Sequence, residues 1–167
     1  MKSLIASVAI VAVTAMLVGT AVFGADTGQV SATVTASVIA MTVSDGSVAY
    51  GTVATSADTT ASGVDDTQTL QNTGTVNIDF EIKGYNSTGQ VWTLAGAAGD
   101  ATYAHKTCIA TCDTTPSWTA MTTGWTDLAT GVTPSGTKAL DLQVLVPSSN
   151  SGTGVATLPI DLRATAS

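Results

Sequence analysis

Charge is scarce in this sequence. Only 10% of its 167 residues are charged, five basic against twelve acidic, where soluble domains usually carry roughly 25%. So few cations exclude a surface that tracks phosphates, which argues against nucleic acid and anionic membranes as partners. Histidine occurs once, as His105, and no serine at a small-residue elbow or pair of carboxylates accompanies it in a recognisable pattern. Without those arrangements no acid–base or nucleophilic chemistry is indicated, and the chain is expected not to be an enzyme. Cysteine occurs twice, as Cys108 and Cys112. Their three-residue spacing and the lack of a second ligand pair do not fit a zinc site. Helical periodicity is missing outside the N-terminus, and no internal repeat is visible.

The one long apolar run is at the N-terminus. Met1-Lys2-Ser3 is a short basic start, Leu4 to Val18 is apolar, and Gly19 to Gly24 is a small-residue stretch with Val22 and Gly24 placed as a cleavage site requires. Residues 1–24 are therefore expected to be a secretory signal peptide. A retained anchor is the alternative, since residues 4–23 lack charge and are just long enough to span a bilayer. The Ala-rich composition and missing basic stop-transfer flank favour the signal peptide. A type IV pilin leader would place a longer charged stretch ahead of the cut. Removal of residues 1–24 leaves four basic and twelve acidic residues. Residues 25–167 are expected to be a single domain.

What is abundant is period-two alternation. Val76, Ile78, Phe80 and Ile82 alternate with Asn77, Asp79, Glu81 and Lys83, the pattern of a strand with one buried and one wet face. A shorter run, Thr67 to Gln71, precedes it, and Asn72-Thr73-Gly74 supplies a turn, so the two are expected to pair as a hairpin. From Gln29, Val30, Ala32, Val34, Ala36 and Val38 alternate with hydroxyl residues. The phase then slips to Ile39, Met41 and Val43, which predicts one long strand over 29–43 with a bulge near Val38 to Ala40. Further strands are expected over 47–53, from Val91, over 140–146 with Asp141 and Gln143 outward, and over 155–164. A short hairpin is expected from Trp118 to Leu128, and 101–118 is less regular. Pro159 cannot donate to a ladder, so the last strand belongs at an edge or carries a bulge. About eight strands at this spacing predict an all-β, antiparallel β-sandwich.

Several residues are candidates for a site. In an exported chain Cys108 and Cys112 are expected to form a disulfide closing a small loop. Asn86-Ser87-Thr88 is the only glycosylation sequon, on an expected loop. Asp58, Asp65 and Asp66 cluster on the loop 54–66, the type of place where Ca²⁺ binds, although no D-x-D-x-D-G run is present and a solvated acidic loop is the simpler reading. Trp92, Trp118 and Trp125 offer either sheet-packing anchors or a sugar platform, and Trp125, between Gly124 and Thr126, is the one expected to be exposed. A surface of Thr, Ser, Gly and Ala is cheap to desolvate. It suits contact with copies of itself or a coat of glycan. The plain alternative is a monomeric acidic sandwich rich in Thr because Thr favours strands.

The run from Gln71 to Phe80, followed by Trp92-Thr93-Leu94 and by Pro134-Ser135-Gly136 ahead of Leu140 to Pro147, resembles secreted immunoglobulin-like sandwiches of prokaryotic surfaces. The likeness spans most of residues 28–166 and rests on structural motifs. Within that group it is somewhat similar to subunits of extracellular fibres that polymerise by donating an N-terminal strand, the TasA-like matrix fibres and archaeal bundling pili. The peptidase activity of some relatives finds no metallopeptidase motif here. The resemblance implies an extracellular structural subunit that self-associates by β-strand addition, with Val30, Ala32, Val34, Ala36 and Val38 as subunit contacts. The alternative is a monomeric surface module binding glycan or calcium.

Overall fold

The computed structural model describes residues 31–54, 66–109, 112, 114–149, 152 and 154–167. The expected signal peptide, Val30, Asp58 and Asp65 lie outside them. The chain forms two units, Met1–Val34 and Thr35–Ser167. Only residues 31–34 of the first are described; the second holds every described strand.

The fold is all-β. Among the described residues nine strands make two sheets: β1 (Met41–Val43), β2 (Gln68–Asn72), β3 (Ile78–Gly84), β4 (Thr93–Leu94), β5 (Thr102–Ile109), β6 (Thr119–Ala120), β7 (Thr126–Val132), β8 (Thr137–Leu145) and β9 (Ile160–Ala166). The larger sheet has the order β1-β2-β8-β5-β4, with β6 also on β5, and the smaller has the order β7-β3-β9. All ladders are antiparallel except the short parallel pair β4 and β5. Both sheets contribute to one core, in which Leu70, Tyr103, Leu140 and Val144 meet Ile78, Phe80, Ile82 and Val132.

The alternation in β3 is realised. Ile78, Phe80 and Ile82 are at most 1% exposed, while Asp79, Glu81 and Lys83 point outward. Its expected hairpin partner is wrong, however. β2 pairs with β1 and β8 in the larger sheet, and β3 with β7 and β9 in the smaller, so residues 73–77 cross between layers. Asn72 holds this crossing. Its Oδ1 accepts from the Gly74 N–H at 2.8 Å, and its buried Nδ2 donates to the carbonyls of Val76 and Val132, both at 2.8 Å. The expected hairpin at 118–128 likewise becomes a crossing, since β6 joins β5 and β7 joins β3.

Other elements differ from expectation. β1 spans only three residues. Residues 31–40 lie outside any strand, and residues 47–53 form none, although Val48 and Tyr50 pack on the core. Residues 38–40 run beside the crossing, with Thr75 N–H donating to the Val38 carbonyl at 2.9 Å and Thr73 N–H to the Ala40 carbonyl at 3.0 Å. Residues 102–109, within the stretch expected to be less regular, form a central strand buried on both faces. That covering also buries Gln143, expected outward, at 3% exposure. β9 starts just after Pro159 and is an edge strand, as the proline required.

Candidate functional site

The two layers are unequal. The main path of the larger sheet has five strands and the smaller sheet three, a difference of two strand widths, or about 10 Å. Beside β9 lies a cavity of about 1120 Å³. Leu140, Leu142 and Val144 of β8 line it, with Val43 of β1, Gln68 of β2 and His105 of β5. Residues 46–53 form one side, and residues 154–160 with Leu162 of β9 the other. No described lining residue is Asp, Glu, Lys or Arg.

Each side is fastened by specific bonds. Gln68 is an inward polar residue next to Leu70, and it secures the turn ahead of the first side. Its Oε1 accepts from the N–H groups of Asp45 at 3.2 Å and Gly46 at 3.0 Å, and its Nε2 donates to the Ser47 carbonyl at 3.2 Å and to Asp66 Oδ1 at 2.9 Å. Tyr50 Oη then meets His105 Nε2 at 2.7 Å. On the second side Thr88 and Thr157 exchange both backbone bonds at 2.9 Å. Gly89 makes this possible. Its φ is +83°, and a Cβ there would sit 2.6 Å from the Val155 carbonyl oxygen.

The cavity holds the chain's one histidine. His105 is 2% exposed, and its Nδ1 has no hydrogen-bond partner among the described residues. Burial pushes its pKa down to about 4, so the ring is neutral at pH 7, and burial also raises the Tyr50 hydroxyl, with a further contribution from the Asp66 charge. The pair is therefore an uncharged contact. The rim beside it is apolar, since Val155 is 84% exposed while Ile160, Leu162 and Ala164 of β9 are only partly buried. Among the described residues no strand pairs with the outer edge of β9.

No family model matches this chain, and no curated protein or solved structure does either.

Of the described sequence-derived candidates, Trp92 and His105 line the cavity. Ala32, Val34, Ala36 and Val38 are exposed, Val34 at 94%. Cys108 and Cys112 are disulfide-bonded, with Cα atoms 5.8 Å apart. Asn86 is exposed, and its Oδ1 accepts from the Leu94 N–H at 3.0 Å. Asp66 accepts from Gln68, and no cluster of three potential metal-ligating side chains occurs among the described residues. Trp92 packs on the core, with its ring centroid 6.3 Å from that of Tyr103, and Trp118 is half-buried. Trp125 is half-buried against cations, with Arg163 Cζ 4.2 Å and Lys83 Nζ 4.8 Å from its ring centroid. Those cations are themselves paired, Arg163 with Glu81 at 2.7 Å and Lys83 with Asp161 at 3.5 Å.

The cavity escaped sequence reasoning because its parts are distant in the chain. Tyr50 and His105 are 55 residues apart. One signal was present. The inward phase of β2 carries Gln68 and Asn72 around Leu70, and buried amides in a strand have to be fastening something.

Proposed function

We propose that the protein is a structural subunit of an extracellular filament or surface layer, and that copies associate by β-strand addition. The observation that carries this reading is the state of residues 31–39. They alternate small apolar and hydroxyl side chains, lie outside any strand, and are all exposed. No charged residue occurs between Asp26 and Asp45. A segment of this kind gains by completing a sheet, because its backbone groups then find ladder partners and its valines leave water. The secretory-type N-terminus and the disulfide fit an oxidising, external location. The charge-poor surface lowers the desolvation cost of contact between copies.

The test is deletion of residues 25–38, read by negative-stain microscopy and sedimentation of the secreted protein. The full chain is expected to form filaments or sheets and the deletion to remain soluble and unassembled. Assemblies that persist after the deletion defeat this reading.

A further inference from the structure

Resting on that reading, we infer that the acceptor for residues 30–38 is the cavity alongside β9 of a second copy, where the segment adds to the outer edge of that strand as the fourth member of the smaller sheet.

Four independent features converge on this place. First, β9 ends its sheet, and its inward residues Ile160, Leu162 and Ala164 are only partly buried, whereas Ile78, Phe80 and Ile82 of the central strand are at most 1% exposed. A further strand on that edge would bring β9 to the same burial. Second, the size fits. One residue of strand occupies roughly 3.3 Å of rise, 4.8 Å of strand spacing and 10 Å of sheet spacing, or about 160 Å³. The cavity of about 1120 Å³ then takes about seven residues of extended chain. The alternating stretch Val30 to Val38 is long enough to supply such a run, and pockets for a single small ligand usually measure roughly 300–1,000 Å³.

Third, the chemistry matches. The described lining lacks ionised residues, and so does the chain from Thr27 to Ser44. In a protein with a large excess of acid this correspondence selects an uncharged occupant. Ala32, Val34 and Ala36 present a small apolar row to the lining residues that still have surface to cover, Val48, Val155, Leu158, Ile160 and Leu162, and Ser31, Thr33, Thr35 and Ser37 fall on the opposite face. Fourth, His105 lines the cavity with its Nδ1 unpartnered. An incoming backbone brings hydrogen-bonding groups that a purely apolar ligand lacks.

Only exposed, outward-facing positions are needed for the test, so folding is not at risk. Thr33→Cys or Thr35→Cys is placed in one population of full-length chains and Asp161→Cys or Arg163→Cys in another. The native disulfide is kept, and assembly is followed by oxidation and a non-reducing gel. A parallel mixture carries Asp127→Cys or Thr130→Cys on β7, the other edge of the same sheet. The expected result is covalent dimers joining the N-terminal segment to β9 and none joining it to β7. In chains carrying both the N-terminal and β9 cysteines, the expected product is a ladder of multimers. Filaments that form normally but give no bond to β9 overturn this assignment while leaving strand addition in place. Bonds within a single copy, with the protein monomeric, overturn both.

Discussion

Asn72 Nδ2 donates to the carbonyl of Val132, 60 residues away, at 2.8 Å, and the bond is fully buried. The same nitrogen serves Val76, and the Asn72 backbone exchanges bonds with Ser135 and Gly136 at 2.9 and 3.0 Å. One side chain thus joins two crossings between the layers. Replacing Asn72 by Ala removes the donor from the buried bond to Val132, at about 1–3 kcal/mol, and from the partly buried one to Val76, at less. Asn72→Asp is expected to be worse at pH 7, because it turns a carboxylate toward two acceptors. Urea midpoints should rank wild type above Asn72→Ala above Asn72→Asp, with the last gap narrowing as acid protonates the carboxyl.

His105 sets a pH window. Its folded pKa of about 4 lies below the ordinary value of 6.5. The unfolded chain therefore binds the extra proton first, and stability that is complete above pH 6.5 declines as pH falls toward 4. The loss is on the order of 3 kcal/mol. His105→Gln keeps a partner for Tyr50 without titrating. Thermal unfolding measured between pH 7 and 4 should slope for the wild type and be flatter for the variant. The carboxyls of Asp79, Glu81 and Asp161, held below their usual range first by the Ser167, Arg163 and Tyr85 side chains, act only at lower pH.

A methyl group at Gly74 would sit 2.2 Å from the Val38 carbonyl oxygen and 3.0 Å from the Ala40 nitrogen. Gly74→Ala must push residues 38–40 off the crossing, with a cost of about 1–3 kcal/mol. Amide exchange at Thr73 and Thr75, whose N–H groups bond Ala40 and Val38, should accelerate. Gly96→Ala, with nothing within 4 Å, is the matched control and is expected to be neutral or slightly stabilising.

Reduction of Cys108–Cys112 opens a loop closed by a sequence separation of four. A loop so short restricts the unfolded chain little, and its loss is expected to lower stability by about 2 kcal/mol. The Cys108→Ser, Cys112→Ser double variant should therefore unfold cooperatively at a lower denaturant midpoint and keep its sheet signature in circular dichroism.

Alternation revealed which face of a strand is wet but not which strand lies beside it. Phe80 was legible as inward because its neighbours Asp79 and Glu81 are polar. Nothing in Asn72-Thr73-Gly74 distinguishes a hairpin from a step between layers, since the same turn chemistry serves both. β5 was overlooked for the complementary reason. Tyr103, Ala104 and His105 are consecutive and all buried, so the strand has no wet face to give it a period. The reverse error affected residues 31–40, where a strand-like pattern stands without a ladder in this chain. Strand pairing depends on what else is nearby, and for this segment the described chain offers no strand partner. The cavity combines residues from Val43 to Leu162, and no local pattern encodes it.

The interleaving of the layers bears on how the polypeptide matures. β3 lies between β7 and β9 in the smaller sheet, and β9 follows it in the chain only after β4 to β8. One edge of β3 can pair once β7 is available, but the other stays open, and the inward Phe80 only partly covered, until β9 is added. Removal of Ile160–Ala166 alone should therefore leave a sticky, protease-sensitive product.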